Sequence, residues 1–251
     1  MKKIRYYAST ILILSLVLSF IPVFSLNAAG KKTVYVLDKM ETNTYEGQNL
    51  VKNTTTNYKY SKGGFLIKDG NYKFKYDSNK NIKQIQVGTT NLNIERTSKG
   101  YLKSAQPQSG SMYGTKIQYV VDKKGNVKKM KSGDATYTYT YNKAGRSVLD
   151  KRNGENSTSY EYDSAGNLMK LISYDGGADE NGIYAEQYRT NNYENGRIAS
   201  SDVSFNRDSV TLKYIYHYKT MKVDKSLVNS IKEQQWSLIN MDLNHELVLW
   251  N

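Results

Sequence analysis

The sequence predicts a mainly β protein: an extended antiparallel meander of repeated β-hairpins, forming a twisted or curled sheet or a partial barrel, with a C-terminal α-helix. Three observations carry this. Tyrosine, 23 of 251 residues, recurs at alternate positions in short runs such as Tyr137, Tyr139, Tyr141 and Tyr214, Tyr216, Tyr218, the period that puts side chains on one face of a strand. The runs ending at Val121, Tyr141 and Tyr162 lead into a turn of the form Asp/Asn-x-x-Gly, and Asp122, Asn142 and Asp163 follow one another at spacings of 20 and 21 residues, the length of two ordinary strands and two tight turns. Only near the end does the apolar period change to that of a helix.

Taken in order, residues 1–30 read as a secretory signal peptide. Lys2, Lys3 and Arg5 precede an apolar run from Ile11 to Val23, then the small residues Ala28, Ala29 and Gly30. That run is shorter than the ~20 residues of a spanning helix. The expectation is an exported, extracellular protein, envelope-associated or free, with no transmembrane segment after cleavage. Residues 31–222 form the hairpin domain and 223–251 a helical cap and tail.

Within the hairpin domain, Thr33 to Leu37 alternate as a strand and the polar stretch 41–53 reads as a loop or weak strand. A hairpin follows at 56–67 around Gly63-Gly64. Tyr72, Phe74 and Tyr76 lead to Asp77, where Lys80 stands in the place of the usual glycine, so Lys80 or Asn81 must take the left-handed conformation at a cost. A degenerate copy spans 92–102. Ile117, Tyr119 and Val121 lead to Asp122 and Gly125, the 137–141 ladder to Asn142 and Gly145, and Tyr160 and Tyr162 to Asp163 and Gly166. Aspartate suits the first position of such a turn because its carboxylate accepts backbone N–H groups, and glycine supplies the left-handed residue of a bulged hairpin. Leu168 and Leu171, three apart, imply a β-bulge. A glycine-rich loop at 175–182 and a two-residue Asn195-Gly196 turn come next. Asp224 is the expected N-cap of a helix from about 225 to 244, with Leu227, Val228, Ile231, Gln235 and Leu238 on one side. A last strand or apolar tail covers 247–250.

The repeated pattern Tyr-x-Tyr-Asp-x-x-Gly-Asn-Leu, clearest at Tyr160, Tyr162, Asp163, Gly166, Asn167 and Leu168, resembles the YD repeat of Rhs/teneurin-type proteins over about 54–218. The resemblance implies a chain of hairpins in a curved or spiral antiparallel sheet. Large members enclose a toxin cargo and some are linked to carbohydrate binding. At 251 residues this chain is too short for such a shell, so the likeness implies the building unit and no catalytic residue.

The chemistry points the same way. There is no cysteine, and His217 and His245 are the two histidines; no nucleophile elbow, zinc-protease or phosphate-loop motif occurs. The expectation is a non-enzymatic protein without cofactor or metal. Lys and Arg number 36 against 23 Asp and Glu; setting aside the three leader cations leaves +10. Anionic wall polymer or another glycan is then a natural partner, with an exported protein partner, paired through sheet edges, as the alternative. Nucleic acid is not expected. Lysine also blocks edge-to-edge pairing of a large sheet, which accounts for the basic balance without any ligand. Candidate ligand contacts are the tyrosine ladders Tyr137, Tyr139, Tyr141 and Tyr214, Tyr216, Tyr218, which could stack on sugars or pack as core. The acidic loop residues Asp175, Asp179 and Glu180 are a further candidate for weak Ca²⁺ binding or glycan hydrolysis. Asp77, Asp122, Gly125, Asn142, Gly145, Asp163, Gly166, Asn195 and Gly196 are assigned to turns.

Overall fold

The computed structural model describes residues 30–108, 115–174, 187–205 and 210–240. The leader, the acidic loop with Asp175, Asp179 and Glu180, residues 109–114 and 206–209, His245 and the segment after residue 240 lie outside them.

Sixteen strands follow one another as an antiparallel meander that closes into a barrel, with the last strand hydrogen-bonded to the first. β1 (Lys31–Glu46) and β16 (Val210–Asp224) form the seam. Between them run β2 (Asn49–Tyr60), β3 (Leu66–Asp69), β4 (Tyr72–Tyr76), β5 (Ile82–Val87), β6 (Thr90–Arg96), β7 (Leu102–Pro107) and β8 (Ile117–Val121). Then come β9 (Val127–Ser132), β10 (Ala135–Tyr141), β11 (Ser147–Arg152), β12 (Glu155–Tyr162), β13 (Leu168–Ser173), β14 (Gln187–Glu194) and β15 (Arg197–Phe205). A 3₁₀ turn at Lys225–Leu227 leads into helix α1 (Val228–Asn240). Every described strand thus has two neighbours, so no strand is left to pair with a partner protein through a sheet edge.

The structure settles one open expectation and corrects another. Of the loop and weak strand considered for 41–53, the strand holds: the stretch belongs to β1 and β2, paired from Lys39 opposite Asn57 to Glu46 opposite Asn49. Leu50 and Val51 are exposed here, and β2 stays almost entirely solvated until Tyr58, so no apolar alternation marks the strand. Asp224 makes no side-chain cap; it ends β16 and pairs with Lys31 at 2.7 Å.

One device repeats around the wall. At each bulged turn at the helix end the last residue of the entering strand stands opposite the first residue of the return strand, and one extra residue follows on that strand, as at Glu161–Lys170 and Tyr162–Leu168. That last residue is a tyrosine at Tyr60, Tyr76, Tyr141 and Tyr162, and Arg96 or Val121 in the other two. The bulge explains the three-residue spacing, because it brings residues three apart onto the same face. Ile82 and Ile85, Leu102 and Ala105, Val127 and Met130, Leu168 and Leu171 are all buried on the inner wall. The tyrosine hydroxyl then donates to the carbonyl of the preceding hairpin. Tyr76 bonds Leu66, Tyr141 bonds Val127, Tyr162 bonds Ser147, Tyr193 bonds Leu168 and Tyr218 bonds Ile198, at 2.6–3.0 Å. Tyr60 does the same to Leu37 across the β1–β2 pair at 2.7 Å. The seam keeps the pattern: Leu37 stands opposite Tyr218 and the register slips at Asp38. Tyr162→Phe is expected to cost about 1 kcal/mol, the net worth of one such bond, seen as a lower urea midpoint with unchanged slope.

The turns make the entry geometry. Asp163 Oδ1 accepts the N–H groups of Ala165 and Asn167 at 2.9 and 2.8 Å, and Gly166 closes the turn at φ 82°. The hydrogen bond from the Asn167 amide holds the Asp163 carboxyl below its usual range. Asp122 and Asn142 act alike, with Gly125 at φ 92° and Gly145 at φ 78°. In the Asp77 turn it is Lys80 that takes the left-handed conformation, at φ 67°.

The faces are sorted opposite to those of a lipid-facing barrel, which carries an apolar band outside and a polar interior. Here the inner wall holds Ile, Leu, Val, Met and buried tyrosine rings, while the outer positions of β4, for example, are Lys73 and Lys75.

Candidate functional site

Strand direction places all the bulged five-residue turns (61–65, 77–81, 97–101, 122–126, 142–146 and 163–167) at one end of the barrel. The C-terminus of β16 and helix α1 lie at this same end. α1 closes it. Ile231 is fully buried against Val34, Val36 and Val223, and Leu238 joins the interior cluster of Leu37, Met40, Tyr58 and Leu66.

Two adjacent glutamines dock the helix onto consecutive repeats. Gln235 Oε1 accepts the Leu37 N–H at 2.7 Å and its Nε2 donates to the Tyr60 hydroxyl at 3.2 Å. Gln234 Oε1 accepts the Leu66 N–H at 2.9 Å and its Nε2 donates to the Tyr76 hydroxyl at 2.8 Å. Leu37 and Leu66 each precede a bulge, where the ladder leaves a backbone donor for a side chain to satisfy.

At one position on this end the repeat is shortened. β14 and β15 meet through the two-residue Asn195-Gly196 turn, with φ of 50° and 71°, the two positive angles of a type I′ hairpin. A pocket of about 420 Å³ lies there. Asn195, Gly196 and Arg197 form its rim with Asn167 of the neighbouring turn, Tyr193 and Tyr218 contribute rings, and Tyr35 of β1 faces them. Lys232 and Gln235 of α1 complete it. Arg197 stacks on the Tyr35 ring with its guanidinium carbon 4.1 Å from the centroid, and lies 5.8 Å from that of Tyr218. This cation–π pairing holds a charge beside the pocket without an acidic partner.

The hydroxyls of the two pocket tyrosines are poorly suited to proton transfer. Burial pushes Tyr193 up to about 12 and Tyr218 further still, and both hydroxyls are committed to backbone carbonyls. Their ring faces are what remains for a ligand.

Of the ladder residues, Tyr137, Tyr139, Tyr214 and Tyr216 are buried in the barrel interior and form core rather than an open aromatic surface. Tyr141 is half-buried, its hydroxyl stapled to Val127; Tyr218 alone of the six lines the pocket. His217 stands on β16 opposite Lys39, with Nε2 3.0 Å from Glu41. No group of three or more His, Cys, Asp or Glu able to hold a metal occurs among the described residues. Sequence reasoning missed Tyr35, Arg197 and Lys232. The available signal was a two-residue Asn-Gly turn at an end whose other described turns are bulged, directly followed by arginine; Asn153-Gly154 likewise has two positive angles at the opposite end.

A second departure from the repeat lies inside. The apolar pair of β5, β7, β9 and β13 is replaced in β11 by Ser147 and Asp150, both buried, and its second member is polar in β3 (Asp69) and β15 (Ser201) as well. Asp150 accepts 2.6 Å hydrogen bonds from Ser147 Oγ and Tyr160 Oη. Burial outweighs these two donors and raises its carboxyl to about 7. Nearby in sequence order, the fully buried Arg189 donates to Asn191, Ser201 and Tyr216. These groups are packed and bonded to one another, so they specify the core.

No family model matches the chain, and no curated protein matches it. Solved structures similar to it include a porin-like protein from Bacteroides uniformis, at 12% identity and a TM-score of 0.41, covering 73% of this chain and 98% of that one. A porin-like protein from Bacteroides vulgatus is similar at 11% identity and a TM-score of 0.34, covering 71% and 97%. TcdB2-TccC3 without its hypervariable C-terminal region is similar at 13% identity and a TM-score of 0.33 over 74% of this chain, which spans 11% of the length of that one.

Proposed function

We propose that this chain is an exported, non-enzymatic binding protein of the cell surface or envelope, taking a saccharide unit of a glycan or wall polymer in the Tyr35–Arg197 pocket. The observation that carries the reading is the composition of that pocket. Tyr35, Tyr193, Tyr218, Asn167, Asn195 and the cations Arg197 and Lys232 line one open pocket, the Asn167 Nδ2 group also donating to Asp163 at 2.8 Å. Ring faces stack on the C–H faces of a sugar, and amides serve as both donor and acceptor to its hydroxyls. The basic and apolar leader and the tyrosine staple that links successive hairpins support, in turn, export and a YD-type repeat architecture.

The test is Tyr35→Ala and Arg197→Ala, each measured by glycan array and by calorimetry on the array's best ligand. Tyr35 is 52% exposed, so its loss should leave the thermal midpoint in place. The expected result is a loss of affinity of about tenfold or more per variant, equivalent to ~1.4 kcal/mol. Failure of the wild-type chain to be retained on any glycan or wall preparation at low salt would overturn the reading.

A further inference from the structure

We propose that the outer wall of β2–β10 is a second binding surface, separate from the pocket, that takes a linear acidic polysaccharide. The charge of the chain is confined to one half of the barrel. Residues 49–141 carry 16 Lys and one Arg against five Asp and Glu, a net +12, whereas residues 142–240 balance thirteen against thirteen.

Ten of the sixteen lysines lie on strands of this wall, and Lys62, Lys80, Lys99, Lys123 and Lys124 lie in the end turns. In the pairing register Lys59 lies opposite Lys68, and Lys68 opposite Lys73, a row of three across adjacent strands. Lys75 continues along β4, and Lys128 and Lys131 are exposed on β9. Like charges directly opposite one another destabilise a sheet, so the fold gains nothing from the row. The usual structural reason for lysine on a β protein is to keep open sheet edges from pairing. A closed barrel has no such edge, and that reason disappears. A counter-charge from outside removes the repulsion.

The chemistry of the wall selects the partner. Lysine supplies mobile point charges, suited to a repeating anion rather than to one bidentate contact. Successive strands are about 4.8 Å apart, comparable to the rise of one pyranose unit, so a chain lying across β2–β4 meets Lys59, Lys68 and Lys73 in turn, and the row ends at Gln86 of β5. On β4 and β9 the outward positions between the lysines hold no aromatic ring. Base stacking on aromatic rings, which single-stranded nucleic acid uses, has no platform there. The exposed apolar residues of this wall are Leu50 and Val51 on β2, Ile67 on β3 and Val120 on β8, whereas an amphipathic surface that enters a bilayer presents a continuous apolar face.

The test uses the full chain and polygalacturonate as probe, in affinity electrophoresis at 50 and 200 mM salt. Lys59→Gln, Lys68→Gln and Lys73→Gln together are compared with a control set of Lys151→Gln, Lys170→Gln and Lys213→Gln from the other half. The expected result is at least a tenfold weakening in the first set, a smaller salt dependence, and wild-type binding in the control. Removing opposed like charges leaves or raises the thermal midpoint, so a folding failure does not mimic the result. Equal weakening in both sets, or no binding of the wild type, overturns the proposal. So does tighter binding to single-stranded DNA of equal charge or to anionic phospholipid vesicles. Tyr35→Ala should leave polygalacturonate binding by the wall intact, which separates this surface from the pocket.

Discussion

Raising the pH from about 4 to about 8 is expected to weaken the fold, and Asp150→Asn is expected to abolish most of that weakening. The cause is the buried Asp150 carboxyl, raised from 3.8 to about 7 because burial penalises its charged form more than Ser147 and Tyr160 stabilise it. Below the unfolded value the group is neutral in both states. Between the two values the unfolded chain releases the proton and the folded one keeps it, so stability drops as pH rises. Above the folded value the full loss has occurred. At ~1.4 kcal/mol per unit over about three units, the loss is of the order of 4 kcal/mol. Asparagine mimics the neutral acid, so the variant and wild type should have similar urea midpoints near pH 4 and diverge by several kcal/mol at pH 8, with the variant more stable. The depressed, exposed carboxyl of Asp163 acts below pH 4 and in the opposite direction, outside this window. Parallel pH profiles for the two proteins would remove the argument.

Gly64→Ala should be the most damaging small substitution at the helix end. Gly64 has φ +87°, and an added Cβ would stand 2.6 Å from Val223 Cγ1 and 2.7 Å from Ile231 Cδ1. The left-handed backbone costs a non-glycine residue about 1–2 kcal/mol, and overpacking a filled site typically adds 1–3 kcal/mol. Relief requires moving the end of β16 or lifting α1 from the barrel mouth. The expected outcome is a loss of ~2–4 kcal/mol in global stability, accompanied by faster hydrogen exchange at the Leu37 and Leu66 amides, which the helix glutamines satisfy. Gly166→Ala is the control. It has a comparable φ of +82° with nothing within 4 Å of the new Cβ, so it reports the backbone penalty without the collision.

The local unit was legible in the sequence and the closure was not. Tyrosine alternation, Asp-x-x-Gly turns and the spacing of Leu168 and Leu171 are short-range patterns, and each has a direct structural counterpart. The seam joins residues nearly 200 apart, such as Lys31 and Asp224, and alternation alone is the same for an open sheet and a closed one. The tyrosines before the turns announced strands. That their hydroxyls tie one hairpin to the next follows from the bulge, which aims the side chain back across the wall. Tyr35, Arg197 and Lys232 come from β1, β15 and α1, so no local pattern gathers them into one pocket. The ladder tyrosines misled for a simple reason: a ring buried in a core and a ring presented to a ligand obey the same period of two.

The seam has a consequence for how the chain reaches its native state. β1 and β16 share the longest ladder in the molecule, from Lys31 with Asp224 to Glu46 with Val210, and it is also the contact of greatest sequence separation. Hairpins close within microseconds, but a ring cannot close until its last member exists, and such high contact order slows folding toward the millisecond-to-second range. Until then β1 presents an unpaired edge, ready to accept the last strand of a second molecule as readily as its own. Dilute refolding should therefore favour the monomeric ring. At high chain concentration the same fifteen-residue edge becomes the route to strand-exchanged oligomers.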